Sequence, residues 1–256
     1  MSLWFLLPAL ALLAGAFALV PLGRQVLMRR VVFIDLAVAQ AAAAGSLWAM
    51  VALHGEARGS AGGVGLTDAA GLVGALACAA CVAGIQRRWP AQREALIGLL
   101  YVVFASLALV GAGLDAHGRE RMLELLAADV LWAQGWQVAL LAAAAAALWA
   151  LQVLRPAWAM RDLPFYAAFA GVVSVAVPVL GLFVVFALLI APALWLMQRG
   201  PGLLQAALLG TAAGWIGLAL SWVWDVPSGP CVAGSCALTG LAALLRRPHA
   251  SQDDPA

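Results

Sequence analysis

Charged side chains are what this sequence has least of. Asp, Glu, Lys and Arg make up 10% of its 256 residues, and the formal net charge is only +2. Soluble domains carry about 25% charged residues, so composition excludes an ordinary soluble fold. It also lacks the basic field that nucleic-acid binding requires. The signatures of P-loop, hydrolase and zinc-protease chemistry, GxxxxGK[ST], GxSxG and HExxH, are missing. Cysteine is scarce, with four in two pairs. Cys78 and Cys81 form a CxxC in an apolar run, but no second CxxC or histidine pair completes a metal set, so they read as small packing residues. Cys231 and Cys236 lie near an expected outer surface; an oxidising compartment would allow a disulfide there, and the sequence leaves open whether one forms. The first apolar stretch, Leu3 to Val20, has no basic n-region, and no small-residue cleavage site precedes Arg24. It reads as a retained span and not as a signal peptide.

What is present is hydrophobic: 65% of the residues, with a mean hydropathy of +1.00. A bilayer core of about 30 Å takes roughly 20 apolar residues per helical crossing. Spans are expected over 3–22, 31–53, 66–86, 95–114, 136–154, 203–223 and 230–245, with a long run over 163–198. That run would make a helix of about 54 Å. It contains Pro178 and Gly181, so it divides into two limbs, 163–178 and 181–198. Charge supports the division. Arg24, Arg29 and Arg30, then Arg87, Arg88 and Arg93, then Arg155 and Arg161 fall on one side if the N-terminus faces out. Arg199, Arg246 and Arg247 join them only if the long run crosses and returns. The expected fold is therefore an all-α polytopic membrane bundle of eight to nine passes, nine by charge, with a broken pair near 163–198. Residues 1–248 form one membrane domain and 249–256 a disordered polar tail. Abundant alanine and glycine suit close helix packing. Trp4, Trp132, Trp136, Trp222 and Trp224 stand near expected span ends, as interfacial anchors do.

Against this background a few polar residues stand out. Asp35 and Gln40 lie inside the second apolar run, "VVFIDLAVAQAAAAG". A charged group at membrane depth costs at least about 2.5–3.5 kcal/mol on insertion scales. Asp35 therefore needs water, a path, or a partner such as Arg29 or Arg30. Gln40 is about 7.5 Å deeper and about 140° away around the helix. Burial favours Gln40 as the residue that meets a pathway, with Asp35 nearer a helix interface or the cytoplasmic mouth. Pro192 would free a carbonyl within "GLFVVFALLIAPALWLM", making that limb a candidate pore wall. "WDVPSGP", from Trp224, reads as an ordered outer turn around Asp225. The expected outer loops hold His54 and Glu56, then Asp115, His117, Glu120, Glu124 and Asp129. The second of these carries a short amphipathic pattern.

Six stretches, in order over roughly residues 15–245, resemble the permeases of zinc- and manganese-type ABC importers. "PLGRQVLMRR" resembles their first inner loop and "AQAAAAG" the helix behind it. "REALIGLLYVVFASLAL" resembles their Asp/Glu-x-x-IG segment, with Glu94 in the acidic place. "LLAADVLWAQ" is similar to their LFG-D segment, with Asp129 in register. "LGLFVVFALLIAPA" and "WDVPSGP" resemble their last limb and final turn. The resemblance implies a homodimeric permease in the bacterial inner membrane. A cytoplasmic ABC ATPase dimer would supply ATP hydrolysis, and a periplasmic substrate-binding protein would deliver a divalent metal, zinc or manganese. The chain itself would hold no cofactor and do no chemistry, and nucleic acid is no partner. The family's Asp-x-x-x-His falls on Leu36 and Gln40 here, with Asp35 one residue early. Gln40 and Asp35 are thus the nearest metal-site candidates, and an amide is a weak ligand for zinc. The inner loop after the fifth span is short, leaving Arg161, Asp162, Leu163 and Pro164 as the ATPase-coupling element. Two alternatives follow from these departures: a metal complex or small organic solute as cargo, or a non-transporting membrane scaffold.

Overall fold

The computed structural model describes residues 5–52, 65–114, 130–155, 161–200 and 202–245. These form nine α-helices: α1 (Leu6–Arg29), α2 (Ile34–Ala52), α3 (Leu66–Arg88), α4 (Arg93–Leu114), α5 (Gly135–Leu154), α6 (Asp162–Leu180), α7 (Leu182–Arg199), α8 (Leu203–Trp224) and α9 (Ser228–Leu245). One 3-10 turn, Val130–Trp132, precedes α5, and no strand occurs among the described residues. Seven of the helices are long and apolar enough to cross a membrane, and Leu182–Gln198 is a shorter apolar helix. The chain is a multi-pass helical membrane bundle.

Two boundaries differ from the sequence expectation. The first helix runs on through Pro21 to Arg29, not stopping near residue 22. Proline removes a single N–H from the ladder, and the added turns bury Gln25 and Val26. The helix ends only at Arg30, in the left-handed region at φ 53°, whose N–H reaches the Leu27 carbonyl at 3.1 Å. The long run breaks at Gly181, while Pro178 stays within the last turn of α6. Gly181 has φ 81° and ψ 153°, a conformation that only a residue without Cβ adopts freely. The chain can therefore end one helix and start the next at one residue.

Contacts along α1 trace where this break sends the chain. Asp162 and Phe165, at the start of α6, meet Arg29. Leu180, at its end, meets Gly15, as does Leu188 of α7. Leu189 and Ala193 then lie against Gly23. So α6 climbs away from the arginine end of α1 and α7 returns toward it. The following helices keep alternating: α8 runs from Ala206 beside Val20 to Trp215, whose indole N–H donates to the Ala9 carbonyl at 3.1 Å. α9 comes back, with Ser235 donating to the Ala213 carbonyl and Gly240 against Ala191. Arg24, Arg29, Arg30, Arg87, Arg88, Arg93, Arg155 and Arg161 thus gather at one end of the bundle.

The helices fall into two groups. α2, α3 and α4 pack on one another, as do α1, α5, α7, α8 and α9; α6 touches both groups and is the main bridge between them. Small residues permit the tightest contacts. A methyl added at Gly23 would collide with the Leu189 carbonyl of α7, and one at Gly74 with the Ala41 carbonyl of α2. This is packing by close backbone approach, as in lipid-embedded bundles. Several tryptophans contribute to cohesion as well as to anchoring: Trp48 donates to the Leu107 carbonyl at 3.0 Å and Trp149 to that of Phe17 at 2.9 Å.

The question that the sequence left open for Cys231 and Cys236 has a structural answer. All four thiols are free. Cys231 and Cys236 stand on one helix, α9, five residues and so about 140° apart, which points their side chains to different faces. The tail 249–256 and the acidic and histidine-bearing segments with His54, Glu56, Asp115, His117, Glu120, Glu124 and Asp129 lie outside the described residues.

Candidate functional site

The arginine end of α6 is closed. Arg29 forms an ion pair with Asp162, and its guanidinium lies 4.5 Å from the Phe165 ring centroid and 6.0 Å from that of Tyr166. Tyr166 donates its hydroxyl to Gln86 of α3. Phe165 packs on Tyr166 and Phe169 with centroids 5.0 and 5.7 Å apart. Arginine over an aromatic face combines a cation–π attraction with its ion pair. Helices α1, α3 and α6 are therefore tied at this end through side chains that the sequence reading did not connect. Of the expected coupling element, Arg161 and Leu163 are exposed, with Leu163 at 74%, while Asp162 and Pro164 are half-buried. Asp162 is engaged within the chain, and Leu163 presents an apolar side chain outward at the arginine end.

Above this closure three buried side chains carry oxygens with no hydrogen-bond partner: Gln25 on α1, and Asp35 and Gln40 on α2. Asp35 is fully buried with no side-chain partner or counter-charge for its carboxylate, which the backbone N–H groups of Asp35 and Leu36 at the start of α2 face. Arg29, which the sequence offered as its partner, is paired with Asp162 instead. The other buried polar residues behave differently: Thr211 donates to the Ala207 carbonyl at 2.9 Å and Ser221 to that of Val226 at 2.6 Å. Sequence reasoning missed Gln25 because it follows Arg24 in a stretch taken for a loop. The signal was there in the apolar flanks of Gln25, Leu22 and Val26. Glu94 is exposed in the first turn of α4. Asp225 is exposed too, holding the left-handed C-cap of α8 at φ 52°, a conformation that aspartate tolerates better than most residues.

At the opposite end the two helix groups stand apart. A cleft of about 890 Å³ opens between α2 and α3 on one side and α5 and α6 on the other. Among the described residues its polar lining comprises Ser46, Thr67, Asp68, Gln134, Gln137 and Ser174, of which Asp68 is charged. Trp132 and Trp136 stand in the same wall. Asp68 accepts the Gly65 N–H at 3.0 Å, and Gln137 accepts that of Gln134 at 3.0 Å, which fixes both side chains at the mouth. Ala39, Ala42, Ala43, Ser46, Leu47 and Met50 form the α2 wall. They recur at helical spacing, and the same stripe reaches Asp35 one turn further in, about 6 Å below Ala39. Gln40 lies at the edge of that stripe, about 100° around from Ala39. The described lining of the cleft ends at Ala39, and Asp35 lies buried one turn beyond it. A second groove, of about 640 Å³ between α1 and α5, is lined by apolar residues from Leu7 to Trp149 and offers no titratable group. No three His, Cys, Asp or Glu side chains converge among the described residues.

With this geometry in place, comparison with known proteins is informative. Residues 156–247 match the ABC 3 transport family. No curated protein sequence matches the chain. Among solved structures, PsaBC from Streptococcus pneumoniae in complex with Fab is similar at a TM-score of 0.73 with 16% sequence identity, over 97% of this chain and 93% of that one. Alongside the resemblance read from the six stretches there are therefore a match to an ABC transport family over residues 156–247 and a shared fold over nearly all of the chain.

Proposed function

We propose that this chain is the permease subunit of an ABC importer that carries a divalent metal, zinc or manganese, inward across the bacterial inner membrane. The observation that carries this reading is the coincidence of the two matches: the 156–247 segment that resembles the family in sequence also builds α6 to α9, the part that brings the chain back and forth beside α1. The chain supplies the path and no chemistry. A separate ATPase pair drives the cycle, a second copy completes the permease, and an extracytoplasmic binding protein delivers cargo at the cleft end. The arginine end faces the cytoplasm under the positive-inside rule, which puts the start of α6 where an ATPase docks. The exposed Leu163 and Arg161 are its contact, and the Arg29–Asp162 pair passes the contact on to α1 and the turn before Asp35.

The test is ATP-dependent uptake of radiolabelled zinc and manganese into proteoliposomes holding the permease and its ATPase. Accumulation that requires both subunits is expected. Gln40→Leu is expected to lower it with assembly intact if the path touches the far edge of the α2 stripe, and Arg161→Glu with Leu163→Asp to weaken co-purification of the ATPase. ATP-dependent uptake of neither metal would overturn the metal reading, and unaltered co-purification would move the coupling surface away from α6.

A further inference from the structure

Helices α1 and α5 run side by side from the cleft end toward the arginine end, and they meet at both ends of the second groove. Leu7 lies 3.9 Å from where a Cβ would stand on Gly135, and Phe17 packs on Trp149 with ring centroids 5.5 Å apart. Between these contacts α1 advances about 15 Å, and there the helices part. Alanine is the cause: Ala139, Ala142 and Ala146 of α5 face the gap, where side chains as long as Leu10 and Leu13 opposite would fill it. The inner contact is fixed. Pro21 has no N–H to give the Phe17 carbonyl four residues earlier, and the Trp149 indole N–H takes that place at 2.9 Å. The groove thus has a permanent floor, and the carbonyl that proline frees beside it is already satisfied.

Three occupants are available inside a membrane: water, a helix of a second copy, or a hydrocarbon chain. Water finds no partner on walls of apolar side chains, and such spaces stay dry. A helix is too thick: about 640 Å³ over about 15 Å leaves a cross-section of roughly 40 Å², and a helix of about 10–12 Å diameter needs roughly 80–110 Å². The strip is also too small for a dimer contact, roughly 150 Å² if it is as wide as a helix, against about 800 Å² on each partner of a stable interface. What remains is the bilayer. Leu7 and Leu10 on one lip are 39% and 40% exposed, and Ala139, Ala142 and Ala146 on the other are exposed too, so the groove opens sideways into hydrocarbon. Left unfilled, both walls would forfeit their dispersion contacts.

We propose that this groove is a binding site for one acyl chain of an outer-leaflet phospholipid, held as a ligand and not exchanged as solvent. The chain enters beside Leu7 and Gly135, at the end away from the arginines, and stops at the Phe17–Trp149 pair. It fills the space the alanines leave and backs α1, whose Gly15 meets Leu180 and Leu188 of the broken pair on another face. The site belongs to the membrane fold and does not depend on the permease reading.

The experiment compares the full-length chain with two double variants. Ala142→Leu with Ala146→Leu fills the groove, and Ala143→Leu with Ala147→Leu adds the same bulk to the neighbouring exposed face of α5. Each protein is purified in mild detergent for native mass spectrometry. Each is also reconstituted with a phosphatidylethanolamine whose acyl chain carries a diazirine at its midpoint, and the photolabelled peptides are mapped. The unmutated chain is expected to keep one phospholipid through purification and to take label on α5 and the first half of α1 several-fold above α4, whose exposed Leu99, Val103 and Leu109 provide the level for bulk lipid. The filling pair should lower retained lipid and groove labelling about tenfold or more, the worth of two buried methylenes, and leave α4 labelling unchanged; the outer pair should alter neither. No retained lipid in the unmutated chain, groove labelling no higher than that of α4, or labelling untouched by the filling pair would overturn the proposal. A filling pair that removes a dimer mass and leaves labelling unchanged would give the groove to a second copy instead. If the filling pair does not assemble, the single Ala142→Leu variant takes its place and the same labelling ratio decides. Uptake is not a readout, so failure of this site leaves the permease reading standing.

Discussion

The two ends of α6 show opposite states of the same helix. At the arginine end Phe165 and Phe169 are fully buried, Arg29 is clamped between Asp162 and two rings, and Tyr166 reaches across to α3. At the other end Gly171, Ser174 and Pro178 line an open cleft. The two helix groups are therefore held together at one end of their shared wall and stand apart at the other. The closed end should govern stability, and the open end should tolerate change until transport is measured.

The largest expected effect tests that division with a single substitution made twice. Gly23→Ala would drive a methyl into the backbone of α7 at Leu189, whereas Gly171→Ala would place one where nothing lies within 4 Å. Overpacking typically costs about 1–3 kcal/mol and more where backbone must move, so the Gly23 variant should lose most of its assembled protein. The Gly171 variant should gain a little, since alanine favours an α-helix over glycine by about 1 kcal/mol. Thermal unfolding followed by tryptophan fluorescence in detergent reads both. Equal loss at both positions would mean that the cleft closes tightly on its walls and that the contrast between the ends is not real.

A smaller loss is expected from Arg29→Ala, about 1–3 kcal/mol for a charge-assisted contact together with a cation–π one. Asp162 is 40% exposed, which places the effect toward the lower part of that range because water screens the pair. Arg29→Lys should recover only part of it, since an ammonium keeps the charge but not the planar stack. If alanine leaves the unfolding temperature unchanged, the closed end is held by ring packing alone.

Much of the fold beneath this contrast was legible in the sequence, and the reasons are local. Apolar run lengths are fixed by bilayer thickness, so the spans could be placed to within a few residues. Pro178 and Gly181 announced the broken pair because one lacks an N–H and the other a Cβ. The arginine pattern agreed with the return of α7 along α1. Asp35 and Gln40 stood out because polar groups are rare at that depth. What the sequence could not carry were partnerships between distant helices. Nothing near Arg29 names Asp162 as its partner, 133 residues away. The cleft is likewise assembled from Thr67, Asp68, Gln134, Gln137 and Ser174, each ordinary in its own stretch and distinctive only where α2, α3, α5 and α6 meet. The relative standing of Asp35 and Gln40 also required the lining of α2, because burial alone favoured the deeper residue.

The smallest effect on stability, and the sharpest on meaning, is expected from Asp35→Asn. A buried residue that holds a helix interface together destabilises the protein when its bonding is removed. One kept for a path does not, because it contributes nothing to the resting bundle. Neither Asp35 oxygen meets a side-chain partner or counter-charge, so the amide should leave the unfolding temperature unchanged or raise it, as replacing an uncompensated buried charge does. Uptake should fall at the same time, since the stripe that lines the cleft would end in a neutral group. A variant that unfolds several degrees earlier would show that the carboxylate is satisfied within the bundle and belongs to the closed end. A variant that is both stable and fully active would remove Asp35 from the path.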